Sequence, residues 1–191
     1  MNKLIVFFAL AICVPFSALA QDAEAGRKKA ELCAACHGLD GNSPAPQYPI
    51  LAQQTARYLY LQLRDFNRGR RKDPMMSPMA ANLSREDMLD LGAWYSSQTF
   101  NGQNSRKTDG DMTRGKKSSD DALCTMCHLG GFSGQNEVPR VAGQNYEYIL
   151  KQLMDFKARK RTNDAGNMTA VVGTISDEDL EAIAAYVSTL R

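Results

Sequence analysis

One pentapeptide pattern occurs twice in the chain and constrains its fold more than any other feature. Cys-x-x-Cys-His is found at residues 33–37 and again at residues 124–128. Two cysteines at this spacing can each form a thioether to one vinyl group of a porphyrin, and the histidine that follows can coordinate the iron from the same side. The pattern therefore predicts two covalently bound haem c groups. The predicted attachment residues are Cys33, Cys36, Cys124 and Cys127, and the predicted proximal iron ligands are His37 and His128.

Two other uses of Cys-x-x-Cys fit this chain less well. A thioredoxin-like redox pair opens a helix within an alternating pattern of strands and helices, and the sequence has no convincing strand periodicity. A zinc site assembled from both motifs would offer four thiolates and two imidazoles, which is more than a tetrahedral site takes. Haem attachment is the interpretation that uses every residue of both motifs.

Residues 1–20 have the pattern of a secretory signal. Lys3 supplies a positive charge, residues 4–14 are apolar, and residues 18–20 read Ala-Leu-Ala before Gln21. The apolar run is short for a membrane span, so a cleaved signal is expected and an uncleaved anchor is the alternative. Because haem c is attached outside the bacterial cytoplasm, the expected location is the periplasm.

Cysteine use and charge exclude two further features. Cys13 lies in the predicted signal and the other four cysteines lie in the motifs, so no structural disulfide is expected. Without Lys3, 22 basic residues face 21 acidic ones, which leaves a formal charge of +1. This balance does not indicate a nucleic-acid partner, since such proteins usually present a clustered basic face.

The chain is an internal repeat that predicts two tandem domains. Residues 48–54 match residues 138–144, and residues 58–66 match residues 148–156, both at an offset of 90. Residues 83–87 match residues 175–179 at an offset of 92. We expect a signal at 1–20, one domain at 21–103 and a second domain at 104–191, with a polar linker at about 101–111.

Each half is predicted to be all-α, with three main helices. The first helix precedes the haem motif, and the middle helix carries apolar residues at helical spacing on one face. Ser84 and Ser176, each followed three residues later by an aspartate, are predicted caps for the last helices.

Methionine is the predicted second axial ligand of both irons. Both histidines of the mature chain are used in the motifs, so bis-histidine ligation is excluded, and methionine, another weak ligand or an open iron remains. In the second half Met168 lies in a glycine-containing loop, whereas Met154 is placed inside the middle helix. Met168 precedes Ser176 by eight residues, and the same count before Ser84 selects Met76, with Met79 as the next candidate. A thioether favours ferrous iron and raises the reduction potential.

Two prolines are candidates for orienting the proximal histidines. Pro49 follows His37 by twelve residues, and Pro139 follows His128 by eleven. Their carbonyl groups could accept the imidazole N–H, as acceptors around metal-binding histidines commonly do. The alternative is that each proline only shapes a turn.

Taken together, these motifs resemble the dihaem cytochromes c of the cytochrome c4 family. The resemblance rests on the Cys-x-x-Cys-His-Gly-x-Asp-Gly-Asn-Ser-Pro-Ala-Pro stretch at 33–46, the Pro-x-Leu-Ala-x-Gln segment at 49–54, the segment at 58–66 and Arg-Thr-Asn-Asp at 161–164. It implies two class I cytochrome c folds related by a pseudo-twofold axis, with haem propionates facing each other across the domain interface. It also implies the ligand pairs His37 with Met76 and His128 with Met168.

The resemblance implies a periplasmic electron carrier without substrate chemistry of its own, often delivering electrons to a terminal oxidase. A loose association with the membrane surface is left open. The main alternative is a dihaem cytochrome subunit of a flavocytochrome or another dehydrogenase complex. A dihaem peroxidase would need an open iron and a distal acid–base group, and no histidine remains to act as one.

Two matching basic runs allow a weaker hypothesis about partner docking. Arg68–Lys72 and Lys157–Arg161 follow the middle helices of the two halves. A solvated helix end is the favoured interpretation, and a docking patch for an acidic redox partner is the alternative.

Overall fold

The computed structural model describes residues 21–191, and the predicted signal at 1–20 lies outside them. The first half contains helices α1 (Ala23–Ala30), α2 (Ala34–His37), α3 (Ala56–Asn67), α4 (Met76–Ala80) and α5 (Arg85–Ser97). The second half contains α6 (Met112–Asp121), α7 (Cys124–His128), a 3-10 turn (Gly130–Phe132), α8 (Tyr146–Lys157), α9 (Asn167–Val172) and α10 (Asp177–Thr189). The all-α prediction is confirmed, and none of these helices is long and apolar enough to cross a membrane.

Each half contains two short helices in addition to the three predicted ones. The haem motifs form α2 and α7. The segments expected to be loops around Met76 and Met168 contain α4 and α9. A single helical turn of this length has little periodicity of its own, so tertiary packing rather than sequence pattern forms it.

In each half the first helix crosses the last helix at close range, and glycine allows the approach. A Cβ placed on Gly26 of α1 would lie 2.0 Å from the carbonyl oxygen of Asp90 in α5. The same contact recurs in the second half, where a Cβ on Gly115 would lie 2.1 Å from the carbonyl oxygen of Ala182. The two halves therefore share one packing scheme.

The predicted serine caps start the last helix of each half. The Ser84 hydroxyl accepts a hydrogen bond from the N–H of Asp87 at 3.0 Å, and the Asp87 carboxylate accepts one from the N–H of Ser84 at 2.8 Å. The Ser176 hydroxyl accepts from the N–H of Asp179 at 3.1 Å. These contacts satisfy backbone N–H groups that have no partner inside the helix.

The predicted linker is folded against the second half. The Ser105 carbonyl accepts from the N–H of Tyr146 at 2.9 Å, and the Asn145 side chain accepts from the N–H of Ser105 at 2.7 Å. The Asn104 amide donates to the carbonyl of Ser188 at 2.8 Å. The linker is thus held along the surface that α8 and α10 form.

Two reciprocal glutamine bridges join the halves. The Gln144 side chain accepts from the N–H of Ile50 at 2.7 Å and donates to its carbonyl at 2.9 Å. The Gln54 side chain makes the same pair of contacts with Arg140, both at 2.8 Å. Because Gln54 and Ile50 each correspond to the residue 90 positions later, the two bridges are related by the pseudo-twofold axis of the fold.

A cluster of paired side chains forms the second part of the interface. Arg71 donates to Gln62 at 2.7 Å within its own half, and to Tyr148 at 3.1 Å and Gln152 at 2.8 Å across the interface. Arg161 repeats this arrangement with Gln152 at 2.7 Å, and with Tyr58 and Gln62 at 3.1 Å each. We call these six residues the arginine cluster.

The arginine cluster corrects the interpretation of one residue in each basic run, whereas Arg68, Arg70, Lys72, Arg159 and Lys160 are exposed as expected. Arg71 and Arg161 also lie over the rings of Phe66 and Phe156, with 4.6 and 4.4 Å between guanidinium carbon and ring centre. Arg161 is buried, and Arg71 is half-buried. Neither arginine is part of a solvated helix end or of a free docking surface, because the interface holds both.

Candidate haem sites

The two motifs place equivalent side chains in the two halves. His37 ends α2 and His128 ends α7, and both imidazoles are buried, with 5% and 8% of their surface exposed. Cys33 and Cys124 are partly buried against the apolar cores of their halves. Each motif therefore presents its cysteines near the surface and its histidine toward the interior.

A proline carbonyl holds each histidine. The Nδ1 of His37 is 3.0 Å from the carbonyl oxygen of Pro49, and the Nδ1 of His128 is 2.9 Å from that of Pro139. When Nδ1 carries the proton and donates, the lone pair of the neutral ring lies on Nε2, where it can bind a metal. The hypothesis that these prolines orient the histidines is confirmed.

Burial also keeps the two imidazoles neutral. Loss of solvation lowers the pKa of His37 and of His128, and the proline carbonyl opposes this only in part. A neutral imidazole is the form that coordinates iron. The donor set in each half, two thiols and one oriented neutral imidazole, fits a covalently attached haem c.

The backbone turns sharply after each histidine. Gly38 has φ 73° and ψ 150°, and a Cβ there would lie 2.6 Å from the carbonyl oxygen of Asn42. Leu129 occupies the matching position with φ 62° and ψ 171°. A leucine in this region of backbone space is strained, so the surrounding structure of the second motif must hold it there.

The methionine segments are equivalent at an offset of 92. Ala80 and Val172 are both buried, with 0% and 2% of their surface exposed. Met79 and Val171 both point outward, with 49% and 39% exposed. Met76 therefore corresponds to Met168, which is the pairing that counting from the serine caps predicts.

The local contacts of the candidate ligands differ from those of their neighbours. The Asp73 carboxylate accepts from the N–H of Met76 at 3.0 Å, which fixes the start of α4. Met75 and Met79 are 57% and 49% exposed. In the second half Met168 lies in α9 beside an apolar cluster formed by Phe156, Val172 and Leu180, where Met154 also packs.

Three features of the structure are beyond what the sequence motifs indicate. The residues of the arginine cluster and of the glutamine bridges lie in the repeated segments of the sequence. That repetition is the one sequence feature that could have indicated a shared role for them. Tyr95 packs beside Cys33, and nothing in its sequence context separates it from other apolar residues of α5.

Comparisons with known proteins agree with this geometry. The cytochrome c family model matches residues 23–99 and residues 112–191. Cytochrome c4 of Pseudomonas aeruginosa is 38% identical over 201 aligned residues, which cover 100% of both chains.

Solved structures give the same result in three dimensions. The crystal structure of reduced recombinant cytochrome c4 from Pseudomonas stutzeri matches with a TM-score of 0.80 and 36% identity, covering 90% of this chain and 100% of that one. Thiosulfate dehydrogenase from Marichromatium purpuratum matches with a TM-score of 0.79 and 30% identity, covering 88% of this chain and 40% of that one.

Two haem motifs, two matched domains and full-length similarity lead to one conclusion. The protein carries two covalently bound haem c groups and is a dihaem electron-transfer cytochrome. The chain belongs to the cytochrome c4 family.

Proposed function

We propose that this protein is a periplasmic electron shuttle that accepts electrons from a respiratory-chain donor and delivers them to a terminal oxidase. The observation that supports this most is the presence of two equivalent sites in two halves joined by hydrogen bonds, each site with a histidine oriented by a proline carbonyl. Haem c supplies a one-electron ferric/ferrous couple when bound. No acid–base chemistry is assigned to the chain, and the protein is proposed to be a carrier and not an enzyme.

The proposed site residues are those of the two motifs and the two matched methionines. The cysteines form the thioethers, and the histidines and methionines bind the irons. Thioether ligands favour the ferrous state, which suits a carrier that works near the oxidising end of a chain. The proposed assignments are Cys33, Cys36, Cys124 and Cys127 for attachment, and His37, Met76, His128 and Met168 for axial ligation.

The proposed domain boundaries follow the repeat. Residues 21–103 form the first domain and residues 104–191 the second, with residues 1–20 as a cleaved export signal. The contacts of residues 104 and 105 with the second half support a boundary just before them.

Substitution of single methionines tests the ligand assignment. Oxidised protein should show the weak near-infrared sulfur-to-iron band of His/Met haem, and Met76→Ala and Met168→Ala should each remove about half of it. Met79→Ala and Met154→Ala are the matched controls and should leave the band intact. Loss of the band in Met79→Ala with retention in Met76→Ala would assign Met79, and not Met76, as the ligand in the first half.

An oxidation assay tests the proposed direction of transfer. Purified reduced protein is mixed with membrane vesicles of the source bacterium, and its reoxidation by oxygen is followed at the haem absorption band. Cyanide-sensitive reoxidation is the expected result, with protein alone as the control. Reduced protein that stays reduced beside respiring vesicles would argue against an oxidase as the acceptor.

A second candidate function is electron acceptance from a dehydrogenase. The similarity to a thiosulfate dehydrogenase chain, of which this chain covers 40%, favours it. In that case the protein would be found bound to, or rapidly reduced by, a partner dehydrogenase. Reduction of the ferric protein by a periplasmic extract with thiosulfate, and not without it, would favour this candidate.

A further inference from the structure

The two haem sites differ at one buried position of the last helix. The carbonyl of Tyr95 in α5 accepts from the N–H of Gln53 at 3.1 Å, and the carbonyl of Val187 in α10 accepts from the N–H of Gly143 at 3.0 Å. These matching bonds identify Tyr95 and Val187 as structural equivalents. Their side chains are 3% and 2% exposed, so one site has a buried hydroxyl where the other has only methyl groups.

The Tyr95 hydroxyl is an unsatisfied polar group. Its oxygen is buried and has no hydrogen-bond partner among residues 21–191. Buried hydroxyl groups in native proteins nearly always have a partner, so an orphaned one calls for a functional explanation. Burial raises the pKa of Tyr95 far above neutral, so the group keeps its proton and can act as a donor.

The hydroxyl lies beside the first attachment cysteine. Cys33 packs against the apolar cluster that contains Tyr95, Leu59 and Leu91. Burial raises the pKa of the Cys33 thiol, and the neighbouring Tyr95 hydroxyl partly opposes this by stabilising negative charge on the sulfur. The buried hydroxyl of Tyr95 and the sulfur atom that the attachment motif offers therefore belong to the same packed cluster.

We propose that the Tyr95 hydroxyl donates a hydrogen bond to the Cys33 sulfur and thereby raises the reduction potential of the haem attached in the first half relative to that in the second. This inference depends on the proposed attachment through Cys33. A donor directed at the sulfur would turn the positive end of its O–H dipole toward the attached group, and a positive potential there would disfavour the more positively charged ferric state. In a dry pocket such a dipole is weakly screened. Val187 cannot act in this way, so the effect is confined to one site.

Redox titration of Tyr95→Phe tests the proposal. The substitution removes only the hydroxyl and keeps the ring that fills the core. We expect one of the two midpoint potentials to fall while the other stays unchanged. Tyr186→Phe is the matched control, because it removes a hydroxyl from the equivalent helix of the second half, and it should leave the potential of the first haem unchanged.

Combination with Met168→Ala assigns the affected haem. Loss of the Met168 sulfur ligand should lower the potential of the second haem. The remaining high-potential step then belongs to the first haem, and it should be the step that Tyr95→Phe lowers. Tyr95→Leu, which also lacks the hydroxyl, should lower the same step. Unchanged potentials in Tyr95→Phe, a rise, or an equal fall at both haems would overturn the inference.

Failure of the proposed haem sites and failure of the proposed role of Tyr95 give different experimental results. Wild-type protein that carries fewer than two haems, or that shows no His/Met band, would contradict the proposed sites. Wild-type protein with both features and a Tyr95→Phe variant with unaltered potentials would contradict only the role of Tyr95.

Discussion

Truncation of Gln144 is expected to destabilise the protein more than truncation of its symmetry mate Gln54. Gln144 accepts from and donates to the backbone of Ile50, at 2.7 and 2.9 Å, and Ile50 is only 3% exposed. In Gln144→Ala the N–H and C=O of Ile50 lose these partners in a region that water does not reach. Each orphaned buried group costs about 1–3 kcal/mol, so the loss of both partners should lower the free energy of unfolding by about 2–6 kcal/mol.

The matched bridge gives an internal comparison. Gln54 makes the same two contacts with the backbone of Arg140, which is only half-buried. Water can replace part of the lost bonding there, so Gln54→Ala should cost about 1–2 kcal/mol. Gln135 is exposed, and Gln135→Ala should change the free energy of unfolding by less than about 0.5 kcal/mol.

Guanidinium unfolding of the haem-loaded protein measures these differences. Far-UV circular dichroism and haem absorbance are followed together, and the midpoints are compared at unchanged slope. Two separate transitions in Gln144→Ala would indicate that the bridge couples the unfolding of the two halves. A loss in Gln54→Ala equal to or greater than that in Gln144→Ala would refute the argument from burial.

Three further predictions concern haem content, acid stability and independent folding. Intact mass after removal of loosely bound haem should exceed that of the signal-free polypeptide by two haem groups, and a gain of one would contradict the doubled motif. Contacts with Ser84 lower the pKa of Asp87, so its stabilisation is present above the ordinary carboxyl pKa and is lost as the pH falls through the lowered value. The thermal stability difference between wild type and Asp87→Asn should therefore shrink between pH 7 and about pH 3, and a difference that is independent of pH would refute this. Residues 21–103 and 104–191, expressed separately with haem maturation, should each give a six-coordinate haem domain less stable than the joined chain, and failure of both would contradict the domain division.

Much of each haem site can be predicted from the sequence because its elements are local. The proposed attachment cysteines and proximal histidine lie within five residues, and the proline acceptors follow the histidine by eleven or twelve. Their geometry depends on one short helix and one loop, which the motif itself specifies. The methionine pairing could also be predicted, since the serine caps give each half a reference point for counting.

The contacts around the sites could not be predicted, because they join residues that are far apart in the sequence. Arg71 belongs to a basic run that indicated a solvated helix end, yet it bonds Tyr148 and Gln152, which lie 77 and 81 residues away. The glutamine bridges link residues 86 and 94 positions apart. Such pairings form only when two folded halves meet, so a glutamine or arginine in the sequence does not reveal whether it faces water or a partner domain.

The sequence by itself determined that there are two haems and which fold encloses them, and it predicted which residues attach them, because repeated motifs and caps act over a few residues. Only the tertiary structure decided that the halves are joined by buried polar contacts and that the two sites are unequal. From the sequence alone, Tyr95 and Val187 are both ordinary members of the apolar face of a helix. The packing of α5 buries the Tyr95 side chain in the cluster that also contacts Cys33, the proposed attachment residue. Burial depends on how the helices assemble, so a local sequence pattern does not reveal it.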